Sequence, residues 1–76
     1  MKELLDYIAR NLVDKPDEVS ITETERDGVL TLALKVAPED MGKVIGRQGR
    51  IVREIRTLIK ALGQRAGQKV MVEILE

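Results

Sequence analysis

The residues with most chemical potential crowd one short stretch, Met41-Gly42-Lys43-Val44-Ile45-Gly46-Arg47-Gln48-Gly49-Arg50-Ile51-Val52. At its centre Gly46 and Gly49 bracket Arg47 and Gln48 in a G-x-x-G turn, with Lys43, Arg50 and Arg53 around it. Two glycines let a backbone approach a ligand closely and take turns that a side chain blocks. The second opens a helix-like segment, whose free N–H groups and dipole favour an anion. Backbone, helix start and arginines together suit a chain of phosphates better than an isolated metabolite. The chain has no histidine and no cysteine. That removes the commonest general base, the commonest metal ligand, thiolate sites and disulfides. With no nucleotide-binding P-loop either, the composition argues against an enzyme and implies no metal and no cofactor. Glu39 and Asp40 read as helix-start charges rather than as an acid–base pair.

The formal net charge of zero hides a division along the chain. Residues 1–40 carry five basic and ten acidic side chains, a net of −5. Residues 41–70 carry eight basic and one acidic, a net of +7, and residues 71–76 add −2. This asymmetry points to an anionic partner for the middle and later chain. Arg53, Arg56 and Lys60 lie a turn or more from the glycines and read as a solvated helix face.

At 76 residues the chain reads as one small domain, 1–76, whose core must be used fully. Its amphipathic, acid-bearing start has no apolar leader and no apolar run approaches a membrane span, so a soluble cytoplasmic protein is expected. Leu4, Leu5, Ile8, Leu12 and Val13 recur at helical spacing over 2–13, and Asp14-Lys15-Pro16-Asp17 ends that helix. Strands are expected at 18–25 and 29–36, joined by an Asp27-Gly28 hairpin turn. A short helix over 38–45 follows, with Pro38 in its first turn and Gly42 allowing close approach to a neighbour. A longer helix over 49–62 places Ile51, Val52, Ile55, Leu58, Ile59 and Leu62 on one arc, with Gly63 as its C-cap. Residues 64–68 connect to a last strand around Val70, Val72 and Ile74. The order α-β-β-α-α-β implies a two-layer α+β sandwich: a three-stranded sheet with all three helices on one face.

The run Val44-Ile45-Gly46-Arg47-Gln48-Gly49, with Val52 and Ile55 at the following apolar positions, resembles the K-homology (KH) signature, whose G-x-x-G loop clamps four backbone nucleotides. The element order is similar to the type II arrangement of that module. Met1 to Leu5, Ala37 to Gly46 and Val70 to Glu76 further resemble the KhpA family of small stand-alone bacterial KH proteins, over essentially the whole chain. The resemblance implies an RNA-binding protein without enzymatic activity, similar to RNA chaperones that act post-transcriptionally. It also implies self-association, pairing with a larger KH- and Jag-domain protein, KhpB, and a link to cell elongation and division.

On this reading single-stranded RNA crosses Gly46, Arg47, Gln48 and Gly49, with Lys43 and Arg50 adding charge. Its bases lie in an apolar groove walled by Ile45, Val52 and Val36, while Ile55 belongs to the core. With one tyrosine and no other aromatic, little stacking is available. About three phosphate contacts would give a log K versus log salt slope of roughly −2. The competing expectation is a protein-interaction module that dimerises through Met71, Leu75 and Ala61 and binds RNA weakly.

Overall fold

A computed structural model describes residues 1–75; Glu76, the end of the closing run, lies outside them. The elements are α1 (Lys2–Leu12), β1 (Ser20–Arg26), β2 (Val29–Lys35), α2 (Met41–Ile45), α3 (Arg50–Arg65) and β3 (Lys69–Leu75). Short 3-10 turns occupy Pro16–Glu18, Pro38–Asp40 and Arg47–Gly49. The order is the expected α-β-β-α-α-β.

The sheet order is β1-β2-β3. β1 and β2 are antiparallel across a turn in which Asp27 and Gly28 take φ of +54° and +79°, the conformation a tight primed hairpin needs. β2 and β3 are parallel, so the chain must cross over, and α2, the G-x-x-G turn and α3 form that crossover. The register sets Leu30, Leu32 and Leu34 beside Val70, Val72 and Ile74, making one apolar stripe. Leu5 and Ala9 of α1, Val44 of α2, and Ile55 and Ile59 of α3 bury this stripe. The three helices therefore share one face of the sheet. The other face stays open, and Met71 on it is 51% exposed.

Several local expectations are corrected. Gly63 is not a C-cap but lies inside α3, which runs three residues further than its periodicity indicates. A Cβ on Gly63 would stand 2.7 Å from Gln68 O and 2.7 Å from Val70 Cγ2, so the glycine is needed where the helix meets the start of β3. The C-cap is Ala66, and the left-handed residue that follows it is Gly67, at φ +72°. Its N–H donates to Gln64 O at 3.1 Å, and that of Gln68 to Gly63 O at 2.8 Å, satisfying two terminal carbonyls. Gly42 does not serve close packing, since a Cβ there would meet nothing within 4 Å. Leu58, assigned to the apolar arc, is 45% exposed.

Asp40 also does more than complement a helix dipole. Its side chain is 1% exposed and accepts the N–H of Asp14 at 3.2 Å and of Lys15 at 3.0 Å. The end of α1 is thereby tied to the start of α2. Lys43 Nζ lies 3.6 Å from Asp40 and 3.1 Å from Asp14, and Lys15 pairs with Glu39. Burial pushes the Asp40 carboxyl up, but the two N–H donors and the Lys43 ammonium outweigh it and hold the group below its ordinary range.

Candidate nucleic-acid interface

α2 stops because Gly46 leaves the helix. Its N–H still donates to Gly42 O at 2.9 Å, but its φ of 77° and ψ of 173° lie in a region essentially reserved for glycine. A Cβ at Gly46 would stand 2.6 Å from Ile51 Cγ1 and 2.9 Å from Ile51 N. Gln48 (φ 56°, ψ 27°) and Gly49 (φ 73°, ψ 17°) then take two successive left-handed conformations, closed by Gly49 N–H donating to Gly46 O at 3.1 Å. Gly49 has room for a Cβ, its nearest neighbour being Val52 Cγ1 at 4.0 Å, so there the backbone angle alone asks for glycine. The result is an exposed turn whose Arg47 and Gln48 N–H groups stand at the start of a helical segment, where the helical hydrogen-bond pattern provides no intrahelical partner. α3, 16 residues long, starts at its end.

Arg47, Arg50, Arg53, Arg56 and Lys60 make no ion pair among the described residues. Lys43 differs, since its ammonium is shared between Asp14 and Asp40, and both partners raise its pKa. Two of the side chains read as a merely solvated face prove to be anchored. Arg53 Nη2 donates to Gln48 O at 3.2 Å, and Arg56 Nε donates to Val72 O at 3.1 Å. Their signal was present in the sequence: Gly49, Arg53, Arg56 and Lys60 follow one another at spacings of four, three and four, which puts them on one helix face.

That face borders a trench. Near the turn, Gly49, Val52, Arg53, Arg56, Thr57 and Lys60 line an open concavity of about 390 Å³. Further along, Arg56 and Lys60 face Val70 to Glu73 of β3. β3 is an edge strand, so it can wall a groove beside α3. Val36 does not, being 4% exposed within the core. It follows the middle strand β2, which has a neighbour on both sides and leaves no open flank. Of the other expected positions, Val52 is half-buried and lines the trench, whereas Ile45 is half-buried against the core. Arg47, Gln48 and Arg50 are exposed and Gly46 and Gly49 half-buried, and the five form one corner beside the trench. Among the described residues no helix is long and apolar enough to cross a membrane.

The chain matches the family model for the KhpA/KhpB KH domain over residues 2–74. It is 56% identical to RNA-binding protein KhpA of Clostridium acetobutylicum, covering 99% of this chain and 100% of that one. It is 50% identical to RNA-binding protein KhpA of Listeria monocytogenes over the full length of both. The protein of the same name from Aquifex aeolicus is 43% identical, covering 100% of this chain and 96% of that one. Among solved structures the fold is similar to part of a variant of Aquifex aeolicus Era bound to GDP and aluminium fluoride. There the TM-score is 0.65 at 20% identity, covering 96% of this chain and 28% of that one.

Proposed function

The chain belongs to the KhpA/KhpB KH-domain family, and on that premise we propose that it is a non-enzymatic protein that grips short single-stranded RNA with its G-x-x-G turn. The observation that carries this reading is the conformation of the turn. Gly46 and Gly49 hold a backbone that starts a helical segment at Arg47 and Gln48, whose N–H groups the helical pattern leaves without an intrahelical partner, beside arginines that form no ion pair among the described residues. Phosphates meet those N–H groups at the start of α3, and Arg47 and Arg50 supply charge. Lys43 adds less, because two carboxylates already share its ammonium. Bases lie along Val52 in the α3–β3 trench, and Ile45 braces the turn from the core side. The names of the relatives, RNA-binding protein KhpA, support the ligand class. Tyr7 sits on α1, away from the trench-lining residues, so stacking contributes little and binding depends on salt, with a slope of roughly −2 for about three phosphates.

The wider reading is a cytoplasmic RNA chaperone or post-transcriptional regulator that works as a homodimer or with KhpB and is connected to cell elongation and division. Pairing doubles the number of RNA turns and raises avidity. The second reading, a module chiefly for protein association, is favoured by exposed Met71, Leu75 and Leu58. The deciding experiment replaces Arg47 and Gln48 with aspartate. Circular dichroism remains that of the parent, while retention of single-stranded RNA on a filter falls more than about tenfold. Undiminished retention would sink the loop assignment. A dimer that persists through a light-scattering dilution series, and crosslinks to no RNA, favours the second reading.

A further inference from the structure

Among the described residues, only Asp27 and Gln48 have a positive φ without being glycine. Asp27 has a local reason, since its hairpin turn requires that conformation and aspartate tolerates it. Gln48, at φ 56° and ψ 27°, has neither the short side chain that bonds its own backbone nor a hairpin to satisfy. Its support comes from outside the turn. Helical side chains lean toward the helix N-terminus, so Arg53 reaches back over the turn, and its Nη2 donates to Gln48 O at 3.2 Å. That oxygen belongs to the peptide between Gln48 and Gly49. A flip of this peptide would turn ψ of Gln48 and φ of Gly49 away from their present values and swing the Gly49 N–H away from Gly46 O, now 3.1 Å away.

We propose that Arg53 is a positioning residue for the turn: through the Gln48 carbonyl it latches the G-x-x-G backbone in its left-handed form, ready for a phosphate chain. The proposal rests on the RNA-binding reading above for its purpose, but not for its geometry. Arg53 acts on the backbone that meets the phosphate and is not itself a phosphate contact. Its guanidinium does for the turn what Arg56 does for Val72 O on the β3 edge, holding a carbonyl from the helix side.

The test uses the whole chain, the variants Arg53→Gln and Arg53→Gln with Gln48→Asn, and a short fluorescein-labelled oligouridylate. In the free protein, Arg53→Gln lowers the amide order parameters of Arg47 and Gln48 from the rigid range, about 0.85, toward about 0.6. It weakens oligouridylate binding about fivefold by depopulating the competent turn, while the salt slope keeps its parent value. Asparagine tolerates the left-handed region, so adding Gln48→Asn restores most of the order and the affinity. A slope shallower by about 0.7 makes Arg53 a phosphate contact and overturns the latch. So do unchanged order parameters in Arg53→Gln, or no restoration by Gln48→Asn. A parent chain that fails to bind oligouridylate counts against the functional reading alone, since the order parameters test the latch without RNA.

Discussion

The two ends of α2 use the same residue types for opposite ends. Before it and in its first turn, Asp14, Lys15, Glu39, Asp40 and Lys43 satisfy one another or the backbone, and Asp40 is sealed from water. Beyond it, Arg47, Arg50 and the exposed face of α3 carry charge that no described carboxylate neutralises. One end spends its charge on holding α1 to α2, and the other leaves it without a carboxylate partner among the described residues. A basic residue near the turn is therefore not automatically a ligand contact, and Lys43 against Arg47 is the nearest pair on which to see this.

Substitutions on the two sides should separate cleanly. Asp40→Ala strips the acceptors from the Asp14 and Lys15 N–H groups, and its melting midpoint falls by on the order of 10 °C. Oligouridylate affinity of the folded fraction stays near the parent value. A large affinity loss with little loss of midpoint would erase the distinction between the two ends. Arg47→Gln works the other way: thermal scans leave the midpoint in place, and the salt slope becomes shallower by about 0.7. Lys43→Gln should change that slope far less and lower the midpoint, though by less than Asp40→Ala.

The stapled end also has a pH signature. Asp40 and Glu39 have folded pKa values below their ordinary 3.8 and 4.5. Their contribution to stability is present above those unfolded values and is lost as pH falls through the lower folded ones. Lys15 and Lys43 are raised above 10.5, so theirs is complete below that value and disappears as pH rises through the folded ones. Denaturant melts across pH should show both flanks, and Asp40→Asn should flatten much of the acid flank and, because Asp40 also raises Lys43, a smaller part of the alkaline one. The smallest effect is expected within α2 itself. Gly42→Ala meets open space at an exposed helical site and should stabilise the fold by about 0.5–1 kcal/mol, leaving RNA binding intact.

The order and type of every element were legible because they rest on local periodicity. Alternation in β2, the Asp27-Gly28 turn and the apolar stripe of α1 each point to one answer within a few residues. The turn was legible for the same reason, since two glycines three apart mark a backbone no other residue adopts easily. The glycines at 42 and 63 were misread, because a helical glycine looks alike in open space and against a strand. Only the approach of Val70 and Gln68 tells them apart.

By itself, then, the sequence determined an α-β-β-α-α-β chain, a core of alternating apolar residues, and a phosphate-suited turn at Gly46 to Gly49. Tertiary structure alone decided which charges are available. It brought Asp14 and Asp40, 26 residues apart, together around Lys43, and set Arg56 on a carbonyl of β3. It also chose β3, the edge strand, over the middle strand as the trench wall. Periodicity is a property of neighbours along a chain, whereas pairing, burial and edges are settled by which distant segments pack side by side.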